Sequence, residues 1–492
     1  MSSFSSSAPL ALRHTSADPG LTPLRQAQGR LWAAFLRRFA AGVIRSTRCL
    51  PLVVMIFVVT ASLAALDRQP NADYHVRRQA LASKTNGAAV LLFASTEAEG
   101  PNDLYGYRAD NNFFYLTGWS QPGGALLLVP ATEAKDNSLA HPYTEIFFLP
   151  AHNYGQEKWT GPKLGPEDPD ATKITGFDHV EVLDNLRAEL VRLLPSPRAT
   201  IYTDIVTDGD TSISATQIGW LKRANAFPVS VASLDVRPLI AALRVTKDDR
   251  EIELIRKATN ASIAAHLAAM HAMKPGISER EIAALMQYEW GKRGCERPSY
   301  ASIVGSGFYS TVLHYSEDSQ IIQNGDVVVI DAAGEYSMYA SDITRTLPAN
   351  GKFTARQREI YNIVLGAQQA AVAAFQSGKS TLRRDPPSSL HKVAYDYINT
   401  HGKDLHGEPL GKYFIHGLSH YVGLEVHDAG SYDVPLSPGM VFTIEPGIYI
   451  PEEKIGVRIE DTLYVDKDGK LINLAADLPH TADDVEREMA KK

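Results

Sequence analysis

The sequence predicts an α/β (α+β) architecture: an α/β domain followed by a two-fold α/β sandwich built from two copies of one unit. Three observations carry this. An apolar run that opens on a glycine and closes on a carboxylate occurs twice, at 325–331 (G-D-V-V-V-I-D) and 439–445 (G-M-V-F-T-I-E). Each run is too short for a helix and rich in β-branched residues, so each reads as a buried strand. The surroundings repeat as well: His314 (V-L-H-Y) precedes the first copy and His427 (E-V-H-D) the second, while Y-A-S-D-I-T-R-T and G-V-R-I-E-D-T-L follow them. Finally, each strand pair follows two long helical patterns, so the order helix, helix, strand pair occurs twice.

The first 48 residues are rich in arginine and poor in acids, and are expected to be a disordered basic extension. Arg37, Arg38, Arg45 and Arg48 stand just before the apolar run 50–66 (L-P-L-V-V-M-I-F-V-V-T-A-S-L-A-A-L). Positive charge ahead of such a run orients its N-terminus inside. Residues 49–67 therefore read as a signal peptide or a single transmembrane helix, with Ser62-Leu63-Ala64 as a small-residue cleavage site. Either reading puts the catalytic part outside the cytoplasm, exported, periplasmic or membrane-anchored. A start-site error would instead leave it cytoplasmic.

Residues 72–236 alternate strand and helix patterns, the mark of a mixed α/β domain. The segment 76–84 (V-R-R-Q-A-L-A-S-K) reads as a helix, as does 217–226. Strands are expected at 88–94 (A-A-V-L-L-F-A), 125–130 (A-L-L-L-V-P), 144–150 (T-E-I-F-F-L-P) and 199–204 (A-T-I-Y-T-D). The stretch 107–118 (Y-R-A-D-N-N-F-F-Y-L-T-G) sets aromatics beside polar residues and reads as a core strand entered from a polar turn. The segment 234–247 (L-D-V-R-P-L-I-A-A-L-R-V-T-K) links to the second domain, 239–478.

In that second domain, 251–273 has helical apolar spacing and stops at Lys274-Pro275-Gly276. Ser278-x-x-Glu281 reads as the capping box of the next helix. Thr354-x-x-Gln357 caps a helix running to Phe375, Gly378 and Pro386-Pro387 interrupt, and Ser389 starts another to Thr400. Residues 479–492 form a tail.

The repeated unit places acids at matched positions. Asp331 and Asp342 lie equidistant from a turn near Tyr336-Ser337, and Glu445 and Glu460 from a turn at Pro451-Glu452-Glu453. Residues equidistant from a hairpin turn are cross-strand neighbours on one face. Carboxylates held that close repel unless a cation sits between them. Arg458, two residues before Glu460, is on its face but cannot neutralise four acids; a pair of divalent metal ions could. The only cysteines are Cys49 and Cys295, so a cysteine zinc site and a disulfide framework are excluded. Ligands must be oxygen and imidazole. For any single acid, a structural ion pair is the simpler reading; the matched set beside a histidine run points to a site.

That run, 415–428 (I-H-G-L-S-H-Y-V-G-L-E-V-H-D), holds His416, His420 and His427. A carboxylate-rich dinuclear site commonly takes one imidazole, and the histidine without a counterpart in the first repeat should distinguish the two metals. His314 and His427, the repeat-related pair, suit orienting substrate or moving protons. A metal pair of this kind activates water, which is hydrolase chemistry. A net charge of −7 gives no sign of nucleic-acid binding. There is no G-x-S-x-G elbow, P-loop or well-placed dinucleotide fingerprint.

The segment 313–348 (L-H-Y-S-E-D-S-Q-I-I-Q-N-G-D-V-V-V-I-D-A-A-G-E-Y-S-M-Y-A-S-D-I-T-R-T-L-P) resembles the catalytic segment of aminopeptidase P, the Xaa-Pro aminopeptidase family. H-G-L-S-H-Y-V-G-L-E-V-H-D, T-I-E-P-G and V-R-I-E-D resemble its remaining motifs, and the likeness spans about 74–478. It implies a pita-bread catalytic domain behind a creatinase-like N-terminal domain. It implies that Asp331 binds one metal, His420 and Glu445 the other, and that Asp342 and Glu460 bridge. Glu445 would also assist the attacking water. His314, His416 and His427 would line the substrate site, and Arg458 would match the family's supporting arginine. The usual metal would be manganese, Mn2+, with Co2+ or Zn2+ as substitutes. Substrates would be peptides with proline in second position, and the assembly a homo-oligomer, dimer or tetramer. The loop 448–457 is shorter than is usual in the family, and Asn112 stands where some members carry an acid, with Asp110 nearby. Rival readings are a prolidase, cutting Xaa-Pro dipeptides with the same ligands, and a metal-free binding module that kept the pocket. A methionine aminopeptidase is disfavoured by the large N-terminal domain, and metal-free creatinase chemistry by the complete acid set.

Overall fold

The computed structural model describes residues 66–95, 104–130, 143–194, 200–204, 232–385 and 388–491. The basic extension, nearly all of the apolar run and the predicted helix at 217–226 lie outside the described residues. No helix among the described residues is long and apolar enough to cross a membrane.

The N-terminal part is built on a mixed six-stranded sheet, in the order Val180–Val182, Tyr143–Leu149, Ala125–Pro130, Ala89–Phe93, Thr200–Thr203, Ala232–Asp235. Its central strands are apolar on both faces because both faces are covered. One face packs on Leu186 and Leu190 of the helix Leu186–Leu193. The other faces Phe113, Trp119 and Phe177, in a core that continues into Ile255, Met338, Tyr339 and Val441 of the second part. The two parts thus share buried apolar surface, at about 1.5–3 kcal/mol per fully buried large side chain.

One expectation fails here. The stretch 107–118 is not a strand: it holds the helix Asn111–Thr117. Asp110 caps it, its side chain accepting from the Phe113 amide at 2.8 Å, and Gly118 closes it in a left-handed conformation. The aromatic run Phe113–Phe114–Tyr115 suggested a strand, but local capping and burial on three sides decide otherwise.

The second part follows the predicted order. Helix Asp249–Ala272 and helix Glu279–Gly291 precede a sheet of Thr344–Pro348, Val327–Asp331 and Ile303–Ser306. Helix Ala355–Ala374 and helix Leu390–His401 precede the paired strands Val441–Ile444, Gly447–Ile450, Ile455–Arg458 and Asp461–Val465. The capping boxes at Ser278 and Thr354 form as read, and Asp248 with Glu251 adds a third. The two sheets touch where Thr344 meets Glu460 in a β-bridge, and that seam holds the site.

Candidate metal centre

The second-repeat hairpin has the expected register. Ile444 pairs with Asp461 and Gly447 with Arg458, so Glu445 and Glu460 sit opposite each other between two ladders. The first repeat differs. Asp331 pairs with Thr344, not Asp342, because the turn falls at Ser337–Met338, one residue later than expected. Both turn residues take positive φ, 50° and 74°, and Tyr336 and Tyr339 close the turn with reciprocal backbone hydrogen bonds. Asp342 is consequently two residues from the partner of Asp331. It remains on the same face, since side chains alternate along a strand, but diagonal to Asp331.

Tyr300 spans that diagonal. Its hydroxyl stands 2.6 Å from Oδ1 of Asp331 and 2.6 Å from Oδ1 of Asp342. Burial and the two carboxylates raise its pKa well above the usual phenol value, so it stays a donor. The sequence reading did not single out Tyr300. Its position follows from the strand Ile303–Ser306, whose Ile303 pairs with Asp331, and no local motif announces that.

Asp342, His420 and Glu460 each offer one ligand atom, and those atoms lie within 4.8 Å of one another. His420 Nε2 is 3.3 Å from Asp342, 3.4 Å from Glu445 and 3.9 Å from Glu460. Its Nδ1 faces the Tyr421 carbonyl at 3.1 Å, which fixes a proton there and aims Nε2 at the acids. Burial pulls the His420 pKa down, but Asp342 and Glu445 outweigh it and hold it at about 9. The cluster therefore demands positive charge at Nε2, from a proton or a metal ion. Asp331 is joined to the group through Tyr300 and holds Arg458 at 2.6 Å.

The acids are undercompensated. Burial, followed by mutual repulsion, raises Glu460 well above the carboxylate range, and burial pushes Glu445 up to about 8. Asp342 is raised by burial as well. Glu460 Oε2 accepts from Thr344 at 2.6 Å, but its Oε1 is buried without a hydrogen-bond partner. An unpartnered buried carboxylate oxygen beside three further acids is what a divalent cation with oxygen ligands would satisfy. The residues present fit such a group.

The other predicted residues line the same cleft, of about 970 Å³. Arg458 donates to Tyr449 at 2.8 Å, and the Tyr449 hydroxyl lies 2.8 Å from His416 Nε2. His416 Nδ1 faces the Gly417 carbonyl at 2.8 Å. The chain has one consistent polarity: Arg458 to Tyr449 oxygen, Tyr449 proton to Nε2, Nδ1 proton to the carbonyl. Burial, helped by Arg458, lowers the His416 pKa to about 3, so the ring is neutral. His427 is exposed, its ring 4.4 Å from that of His420, and burial with the neighbouring His420 and His314 keeps its pKa low. His314 is exposed on the cleft wall. Gly423 justifies a glycine in the histidine run, since a Cβ there would collide with the Asp428 carboxylate.

The sequence matches two families: metallopeptidase family M24 over 253–467, and the aminopeptidase P N-terminal domain over 74–202. A Xaa-Pro aminopeptidase of Haemophilus influenzae is 33% identical over 447 residues, covering 87% of this chain and 99% of that protein. The structure of aminopeptidase P from E. coli with the inhibitor Pro-Leu superposes with a TM-score of 0.74 at 30% identity, over 86% of this chain and 99% of the other. A Xaa-Pro dipeptidase of Pyrococcus furiosus is 41% identical, but over 235 residues, 47% of this chain and 63% of that protein. Likeness to the dipeptidase thus spans about half of this chain; likeness to the aminopeptidases spans nearly all of it.

Proposed function

The chain belongs to the aminopeptidase P group of metallopeptidase family M24, and on that premise we propose how its own residues carry out the reaction. It is a Xaa-Pro aminopeptidase, removing the N-terminal residue from peptides with proline in second position. Asp331, Asp342, His420, Glu445 and Glu460 would hold two divalent ions, with Asp342 and Glu460 shared. The observation that carries this reading is the buried, unpartnered Oε1 of Glu460 among acids whose repulsion no nearby cation cancels. When bound, the ions supply Lewis acidity and make water a nucleophile at neutral pH.

The rest falls to the protein. Proline makes the scissile bond a tertiary amide with no N–H to donate, so the cleft must select by shape. Glu445 faces both His420 and, at 3.7 Å, His416, which suits it to take the proton of the attacking water and return it to the leaving nitrogen. Neutral His416, oriented by Tyr449, can steady charge on the reacting carbonyl. His427 and His314, exposed on the wall, can accept or donate protons to the peptide. Arg458 holds Asp331 and Tyr449 in place. Manganese is the metal we propose, because an oxygen-rich site of this kind suits a hard ion. The domain limits 72–236 and 239–478, a homo-oligomeric assembly, and export or anchoring through 49–67 complete the reading.

The test is metal analysis joined to a peptide-length series. Close to two equivalents of metal and cleavage of Xaa-Pro-Yaa peptides are expected. Activity confined to Xaa-Pro dipeptides would make the chain a prolidase, and a metal-free preparation would favour a binding module.

A further inference from the structure

The cleft has two electrical poles. Its floor carries Asp331, Asp342, Glu445 and Glu460, and its rim carries the guanidinium groups of Arg383 and Arg384. Arg458 also lines it but is committed to Asp331 and Tyr449. No lysine lines the cleft. The facing segment 428–438 (D-A-G-S-Y-D-V-P-L-S-P) contains no Lys or Arg, so the rim cations come from the Arg383–Arg384 strip alone.

That strip is anchored at its backbone and free at its side chains. The Ser389 hydroxyl, which caps the helix Leu390–His401, lies 2.5 Å from the Arg383 carbonyl and 3.0 Å from the Arg384 carbonyl. The Thr381 amide donates to the Ser388 carbonyl at 2.9 Å. Both arginines are exposed. Arg383 pairs with Asp433 at 3.0 Å, and among the described residues Arg384 makes no salt bridge. A fixed backbone presenting an unpaired guanidinium over a cleft is a built receptor for a planar anion.

We propose that Arg384, flanked by Arg383, forms an anionic subsite that takes a carboxylate on the leaving side of the peptide. This rests on the aminopeptidase reading. A peptide entering such a cleft puts its ammonium against the acidic floor, and its departing portion runs outward towards the rim. The carboxylate there is either the free C-terminus of a short peptide or an acidic side chain of a longer one. Electrostatic complementarity of this kind gives orientation and specificity more than raw affinity.

The experiment uses the metal-loaded full chain and Xaa-Pro peptides carrying one, two or three residues after proline. Each is compared as free acid and as C-terminal amide, with an amide bearing an internal Asp as the second source of carboxylate. At one length the free acid should show a KM about fivefold lower than its amide, in line with an exposed charge pair. The gap should narrow with added salt. Arg384→Ala should abolish that acid-over-amide preference, and Arg384→Lys should restore part of it. A preference for the Asp-bearing amide alone would assign the subsite to side chains. Equal KM values for acid and amide at every length, or a preference that survives Arg384→Ala, overturns the inference while leaving the aminopeptidase reading intact. Failure of the parent enzyme to cleave any of the peptides would sink both.

Discussion

Two buried ionic clusters lie close together in this molecule, and they are built on opposite principles. Around Asp428, charge is matched. Arg244 pairs with it at 2.5 Å and Lys247 at 2.8 Å, with side-chain exposures of 4%, 1% and 1% for Arg244, Lys247 and Asp428. Burial alone would raise the Asp428 pKa, but Lys247 and Arg244 outweigh it and hold it below the usual carboxylate range. At the seam between the repeats, charge is unmatched: Glu460 and Glu445 are pushed up, and one oxygen of Glu460 has no partner. A fold can tolerate the first arrangement by itself. The second lowers its own stability unless something from outside supplies positive charge, and that deficit is the signature of function.

The widest separation between the clusters should come from neutralising one acid in each. Glu460→Gln should lose metal and cut turnover by more than about 100-fold, since even supporting residues of a metal site cost 10–100-fold. The same change should stabilise the metal-stripped protein by about 1–3 kcal/mol, because it removes a buried, uncompensated carboxylate. Metal content, peptide turnover and denaturation of the stripped protein check this. A variant that keeps its metal and its rate would break the comparison.

Asp428→Asn should do the reverse. It leaves Arg244 and Lys247 buried without their counter-ion and should cost about 3–5 kcal/mol, with or without metal. Its metal content should match that of the parent. Denaturant unfolding of both forms, loaded and stripped, measures the difference.

The smallest effect is a dependence on pH. The folded pKa of Asp428 lies below its unfolded value of about 3.9. Its contribution is therefore full above that value and is lost as pH falls through the folded pKa. The stability gap between parent and Asp428→Asn should be constant from pH 8 to about pH 5 and shrink below about pH 4. A gap that widens in acid would mean that Asp428 is not held ionised by its partners.

Much of the catalytic half is legible in the chain because its logic is local. Ser278, Thr354 and Ser389 announce helix starts through hydrogen bonds that span three residues. The doubled Gly-to-carboxylate runs announce two buried strands through period and length. The hairpin at 451–453 has a proline to mark its turn, and the pairing of Glu445 with Glu460 comes out as expected. The hairpin at 337–338 carries no glycine or proline, only Ser337 and Met338 forced to positive φ by tertiary packing. A turn without punctuation shifts by one residue, and Asp342 moves off the partner position of Asp331.

The N-terminal half shows the other limit. Phe113, Phe114 and Tyr115 favour a strand by composition, yet Asp110 and Gly118 cap a seven-residue helix there. What decides is the shared core with Met338 and Tyr339, far away in sequence.

The sequence by itself determined the duplicated unit, the identity of the acids and histidines, and their chemistry, because each rests on residue type and short spacing. Only the tertiary structure decided which acids meet directly, that Tyr300 ties Asp331 to Asp342, and that Arg383 and Arg384 stand on the rim of the same cleft. Those facts depend on strand register and on helices packed across the two repeats, and side chains brought together by long-range packing leave no periodic trace along the chain.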